Sequence, residues 1–523
     1  MTATPSPPPP TSTNDDETRT AGRGGIAVLG AKVFFILAGF VQKALLARAI
    51  GAAGYGALSI VQGIANIPNN VVVSGATQGV SRAIARARGH EDEALRATLR
   101  VHVPLAVVIG VGFVALAPAL AAWERAPHVT LPLMVLGGVM LLYGLYAPLI
   151  GAINGRRRFG RQAVLDVTFA TLRTAGMVGV GYLFLHRGMS GALGATVGFV
   201  AAAACILPIA LRWTGIGKRG VEGPWSPKPL AYLLELFPLS AAQLCTNLIL
   251  QADAILLRRF LGDSASVAGL SADDADTWLG YYNAAQLFAF LPYQLLFSIT
   301  QILFPMLARA KAEGDREAVK RFVASGARLG AIACGMLVSV VAALPSQLVA
   351  FAYPAEFAEP AGAALRILAL GQGAFAMLAI ALTVLTSLGY EWRSTAITAS
   401  AVVCITVACF AFVPGATFGQ TQLVRTAITT SVVLAAALVV AGTMVRAMTG
   451  AFVPFATAAR AGLGVAICAY GGQYLPKMGK LMTPVLAVGI VLVYLVILVV
   501  TRELRAADLE PVKALLGKKR RAT

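Results

Sequence analysis

The chain has 523 residues, 57% of them apolar and 13% charged, with a formal net charge of +19 and a mean hydropathy of +0.74. Charged residues run at about half the ~25% of a soluble protein. This excludes a soluble enzyme, a disordered chain and a disulfide-rich secreted domain, and leaves an all-α polytopic membrane protein.

Residues 1–24 are polar and Pro-rich, with acids at Asp15, Asp16 and Glu17. They predict a disordered cytoplasmic tail, and the acids exclude the basic start of a signal peptide. Fourteen apolar blocks follow, near 25–50, 57–81, 101–122, 131–154, 163–185, 190–211, 231–257, 279–307, 322–344, 362–388, 394–414, 424–445, 453–474 and 481–501. Each reaches the ~20 residues that cross a bilayer core. The fifth block is the least apolar, because Asp166 and Arg173 lie in it. Residues 502–523 mix leucines with charge and end in Lys518, Lys519, Arg520 and Arg521, predicting a basic tail with a short interfacial helix. All six cysteines fall inside apolar blocks with no CxxC spacing, so they read as packing residues.

With a cytoplasmic N-terminus, 31 of the 43 Lys and Arg fall on the inner side and 8 on the outer. The other four, Lys32, Lys43, Arg173 and Arg366, sit within blocks. A miscounted block would invert every later connection and blur this bias. It therefore predicts 14 transmembrane helices with both termini cytoplasmic. The basic excess then serves topology and anionic lipid headgroups rather than nucleic acid.

The halves resemble each other. Gln62 precedes Pro68 by six, as Gln286 precedes Pro292, and Glu93-Ala94-Leu95-Arg96 matches Glu317-Ala318-Val319-Lys320. An even number of blocks separates the copies, which predicts two parallel-repeat six-helix lobes. The expected organisation is an N-terminal lobe over 25–211, a cytoplasmic linker over 212–230, a C-terminal lobe over 231–446 and an extra helix pair over 453–501.

Several segments carry a family resemblance. They are Arg48-Ala49-Ile50-Gly51 with Gly54-Tyr55-Gly56, Gly79-Val80-Ser81-Arg82, the stretch 253–262, Tyr281-Tyr282-Asn283, and Phe304-Pro305-Met306. Over roughly 25–500 the chain resembles the polysaccharide-export and lipid-linked oligosaccharide flippases of the MOP superfamily, which include Wzx-type, SpoVB-like and lipid II flippases. The resemblance implies alternating access for an undecaprenyl-diphosphate-linked glycan at the bacterial cytoplasmic (inner) membrane. It implies anionic lipids as partners and glycan polymerase or export machinery as candidate partners. A lipid II flippase and a MATE-type drug/cation antiporter are the transport alternatives. In the lipid II branch, cations in the first two spans would correspond to Lys32, Lys43 and Arg82.

Such cargo needs cations for the diphosphate and amides for the sugars. Lys32 and Lys43 are eleven residues apart, hence on one helix face about 16 Å apart. With Arg82, Arg173 and Arg366 they are the candidate headgroup cations, although Lys43 and Arg366 also suit snorkelling. Gln62, Asn66 and Asn70 in the second block, Gln243 and Asn247 in the seventh, and Asn283, Gln294 and Gln301 in the eighth form polar stripes. These read as a sugar-facing lining or as interhelical hydrogen bonding. Asp253 and Asp166 are the candidates for H+ or Na+ coupling. Asp253 also reads as local balance for Arg258, and Asp166 as half of a structural pair with Arg173.

No catalytic or metal site is expected. There is no phosphate-binding loop of the G-x-x-x-x-G-K-[ST] type, so ATP is not the direct drive. His90, His102, His128 and His186 lack metal-ligand spacing, and isolated histidines near an interface read as solvated. The longest outer connections, about 21 and 17 residues, contain no His, which counts against a glycan polymerase.

Overall fold

The computed structural model describes residues 13–87, 89–215, 229–476 and 479–504, with side chains from Gly30 onward save Lys32 and Ile302. Among the described residues there is no strand, and all fourteen predicted blocks fall on helix. Twelve stretches of the described residues are long and apolar enough to cross a membrane. The first, within α1 (Thr13–Arg86), carries two blocks joined at Gly51, whose φ of 73° and ψ of 176° interrupt the helix. A side chain is strained at that φ, and glycine is not. The thirteenth block is the 17-residue helix Phe455–Gly471. Most of the predicted tail 502–523 and most of the linker 212–230 lie outside the described residues.

The acidic connection expected between the seventh and eighth blocks is largely helical. Helix α6 (Pro229–Ala268) continues through Asp263, and α7 (Ala272–Ala289) starts early. A capping box starts α7. Ser271 Oγ accepts from the Asp274 amide at 3.3 Å, and the Asp274 carboxylate accepts from the Ser271 amide at 2.9 Å. The eighth block is also not one helix. It breaks at Phe290 between α7 and α8 (Leu291–Ala312), where Pro292 has no N–H for the carbonyl four residues back.

Two compact units form. The first comprises Met1–Leu46, Pro68–Pro118 and Thr130–Gln243. It holds α3 (Thr130–Gly155), α4 (Phe159–His186), α5 (Gly191–Thr214) and most of α2 (Glu91–Trp123). Helix α5 packs on both α3 and α4, as small-residue helix contacts in membranes do. Arg156 ties three connections together: it pairs with Asp92 and donates to the Thr214 carbonyl at 2.6 Å.

The second unit comprises Ala47–Ile67, Ala119–Val129 and Leu244–Thr523. Its centre is α11 (Ala358–Ser387), which packs against α7, α8, α9 (Arg316–Ala343) and α13 (Gln420–Thr449). Leu365, Leu368, Leu378, Ile380 and Val384 on α11 are fully buried. The last helices, α14 (Phe455–Gly471) and α15 (Thr483–Val500), lie on α9. On α15, Ile490, Tyr494 and Leu498 recur every four residues and are buried, while Val485, Val488, Leu492, Val496 and Val499 are exposed. An apolar stripe this long suits hydrocarbon, not water. Between them, α10 (Pro345–Ala352) and α12 (Glu391–Phe412) complete the unit.

Contacts join segments that alternation of the fourteen blocks puts on one side. Arg328 and Arg460 meet Glu503, and Lys311 Nζ donates to the Leu388 carbonyl. At the other end of the same unit Tyr55 meets Tyr353, and Arg125 meets Asp263.

Candidate functional site

In the first unit the candidate cations Lys43 and Arg173 come together. Arg173 on α4 donates from Nε to Gln42 Oε1 at 2.9 Å, and Gln42 Nε2 donates to Met177 Sδ at 3.2 Å. The guanidinium lies 4.9 Å from the centroid of Phe35 and about 6 Å from those of Phe169 and Phe199. Lys43, one residue from Gln42, is close enough to repel it, and Tyr143 hydrogen-bonds it. No carboxylate forms an ion pair with Arg173 among the described residues. Asp166, seven residues earlier on α4, acts on the same Tyr143 and on Tyr146. The two charges, which their spacing puts on one helix face, share a neighbourhood around Tyr143. Two half-buried cations, one of them held by an amide and by rings, can receive an anion.

Arg82 is exposed and lines a cavity of about 60 Å³ with Arg86, Tyr232 and Glu235. Arg86 pairs with Glu235 at 2.8 Å, and Tyr232 Oη lies 3.0 Å from His102 Nε2. His102 is therefore buried and partnered rather than solvated. The Lys32 side chain lies outside the described residues.

In the second unit Asp253 on α6 is buried, with three donors. Tyr282 Oη donates at 2.7 Å, Gln286 Nε2 at 3.0 Å and the Ala254 amide at 2.8 Å. Its expected balance with Arg258 is not what forms, since Arg258 turns to Asp276. Tyr282 and Gln286 belong to α7, so Asp253 joins two helices. The repeat singled out Gln286 and the family resemblance included Tyr282, but neither signal tied them to Asp253.

The polar stripes are placed unevenly. Gln243 Nε2 donates to Ser74 Oγ at 2.9 Å, a helix-to-helix bond. Asn283 Nδ2 donates to its own helix, at the Leu279 carbonyl. Asn247 is buried; Gln62, Asn66, Asn70 and Gln294 are half-buried; Gln301 is exposed. Arg366 is half-buried, and its Nε finds no acceptor. Sequence reasoning missed the charges at the α6–α7 end. There Arg258 Nε donates to Asp276 Oδ1 at 2.5 Å, and His128 Nε2 lies 2.6 Å from Asp276 Oδ2. His128, Asp273 and Asp276 bring donor atoms within 4.8 Å of one another. Asp276 places one carboxylate oxygen on Arg258 and the other on His128.

The model of a family described as polysaccharide biosynthesis protein matches residues 21–311. No curated protein sequence matches the chain. Among solved structures the chain is similar to lipid II flippase MurJ in an inward closed conformation. That match has a TM-score of 0.69 and 13% identity, over 91% of this chain and 99% of that one. It is also similar to a multidrug resistance MATE family transporter of the MOP superfamily in an inward-facing conformation. Here the TM-score is 0.63 and the identity 16%, over 81% of this chain and 98% of that one. The outward-facing form of such a transporter gives 0.56 and 16%, over 81% and 95%. At these identities the likeness is one of fold, and it is the MOP fold expected from the sequence. The neighbours are a flippase and transporters, not enzymes, and the chain is a multi-pass membrane protein. On a match that covers more than half its length, the chain belongs to the polysaccharide biosynthesis protein family.

Proposed function

We propose that the protein is a flippase that moves an undecaprenyl-diphosphate-linked oligosaccharide from the inner to the outer leaflet of the cytoplasmic membrane by alternating access. Both termini are cytoplasmic in this reading. The observation that carries it is the meeting of Lys43 and Arg173, two cations with one carboxylate, Asp166, in the same neighbourhood. Two cations inside the helical region are costly unless an anion joins them, and a diphosphate supplies that charge. The family match supports glycan cargo. An apolar cavity of about 680 Å³ among α9, α11, α13 and α14, with Arg446 in its lining, supports a cargo with a lipid chain. Lys32, Arg82 and Arg366 remain secondary cation candidates, and the amide stripes candidate sugar contacts. Asp253, which links α6 to α7, is the first candidate for H+ or Na+ coupling, and Asp166 the second.

The test is transport of labelled lipid-diphosphate glycans in proteoliposomes by wild type, Lys43→Ala and Arg173→Ala, with protein levels matched. Loss of transport of about tenfold or more in both variants is expected. Unchanged transport in the double variant overturns the site. A substrate panel separates the alternatives: transport of lipid II alone makes the protein a lipid II flippase, and efflux of organic cations alone makes it an antiporter. Collapse of the proton or the sodium gradient identifies the coupling ion, and Asp253→Asn is expected to remove that dependence.

A further inference from the structure

Helix α2 ends at Trp123, and the next residue, Glu124, is buried in the second unit. Both its carboxylate oxygens are shielded from solvent and neither has a hydrogen-bond partner. Arg258 is fully buried beside it. Arg258 spends Nε on Asp276 and offers Nη1 to the backbone carbonyl of Glu124 at 3.4 Å, leaving Nη2 without an acceptor. The charged groups acting on Glu124 are Arg258 and Arg259 of α6 and Asp276 of α7. Arg259 donates to the Trp123 carbonyl at 2.6 Å, and its guanidinium lies 4.9 Å from the Trp123 ring. Within the same connection Arg125 pairs with Asp263 at 2.8 Å, and His128 contacts Asp276. Asp263 is also 4.0 Å from Arg259, and Asp273 stands beside His128. The cations are thus already engaged by other carboxylates or by carbonyls. A buried carboxylate with no donor is an expensive anion and a cheap neutral acid.

We propose that Glu124 is a proton-binding site, and that the segment 119–129 stays packed against Arg258 and Asp276 while Glu124 is neutral and is released when it ionises. The proton is the ligand; it leaves the carboxyl to water when the segment swings out. The inference concerns this segment alone and stands whatever the cargo. Burial pushes the Glu124 carboxyl up to about 8, with Arg258 and Arg259 opposing the rise and Asp276 adding to it. The packed state therefore holds one proton more than the released state between the ordinary carboxylate range and about pH 8. Packing is fully supported below the ordinary range, loses support through that window, and has lost it above about pH 8.

The test is hydrogen exchange of the 119–129 segment in lipid nanodiscs between pH 6 and 8. Rates are corrected for intrinsic exchange, with a peptide of α4 as internal reference. In wild type, opening should rise by as much as about 100-fold across this window. Glu124→Gln and the apolar Glu124→Leu should both stay packed and flatten the profile. A wild-type profile that is already flat overturns the proposal. So does a slope kept in full by Glu124→Gln and lost in His128→Asn, which would put the proton on the His128–Asp276 contact. Gel filtration of each variant checks the fold. If Glu124→Gln does not fold, Glu124→Leu is decisive, and if neither folds, the neutral side chain is not what the segment packs with and the proposal fails.

Discussion

Glu124 and Glu503 are both buried glutamates of the second unit, and they sit near opposite ends of it. Glu124 has no donor on either oxygen. Glu503 has donors on three sides: Arg328 Nε at 2.9 Å, Arg460 Nη1 at 2.9 Å and Thr457 Oγ1 at 2.7 Å. For Glu503 burial acts to raise the carboxyl, but the bonds from Thr457, Arg328 and Arg460 outweigh it, and the group lies below its ordinary range. For Glu124 burial wins. The two differ in donors, not in concealment. One is built to stay an anion and clamps α9 to α14 and to the end of α15; the other is built to carry a proton.

The comparison can be broken first at the partner of Arg258. Asp276→Ala leaves a fully buried guanidinium without its carboxylate, since the pair is 0% and 1% exposed. A loss of about 3–5 kcal/mol is expected, seen as a large drop in the thermal unfolding midpoint in detergent. Glu503→Ala removes the clamp at the other end. Arg328 and Arg460 are about one-third exposed and recover some hydration, so a smaller loss of about 1–3 kcal/mol is expected. The pH responses should run in opposite directions. The Glu503 clamp is fully formed above the ordinary carboxylate range and lost as pH falls below it, so Glu503→Gln should remove acid sensitivity of the unfolding midpoint. The Glu124 contact weakens as pH rises, as set out above. Next comes Tyr353→Phe, which keeps the ring on Phe357 but removes the 3.0 Å hydroxyl contact with Tyr55. About 1 kcal/mol is expected. The smallest effect is at the exposed Arg86–Glu235 pair of the first unit. Arg86→Ala should cost under about 1 kcal/mol, and less still in high salt.

Much of the fold was legible because hydrocarbon leaves a coarse signal. Apolar runs and basic residues between them located all fourteen helical blocks. What failed was local. Pro292 stood in view, yet the eighth block read as one helix because hydropathy does not register a missing N–H. The acids Asp263, Asp273, Asp274 and Asp276 fall between the seventh and eighth apolar blocks, where hydropathy shows no helix, though Ser271 and Asp274 carry a capping-box spacing. At the site level, Lys43, Arg173 and Asp166 were singled out because charge in an apolar run is conspicuous. Glu124 was not, because it closes such a run at Trp123 and looks like an ordinary interfacial acid. Its burial depends on Gly262 and Arg258, which are more than a hundred residues away in sequence and within contact in space. Arg258 was assigned to Asp253 by proximity along the chain, and Asp276, eighteen residues on, took it instead.

Glycine at position 56 has a bearing on how the chain is made. A methyl group there would collide with the backbone carbonyl of Asp276, and one at Gly280 would strike that of Ala52. Tyr55, its neighbour, finds its hydroxyl partner 298 residues downstream. At ribosomal speeds of about 5–20 residues per second, that partner is synthesised roughly 15–60 s later. During biogenesis this early hairpin must wait in the membrane with a bare groove and a phenol that has only Ser59 for a partner, so the insertion machinery or lipid has to shelter it until the second half arrives.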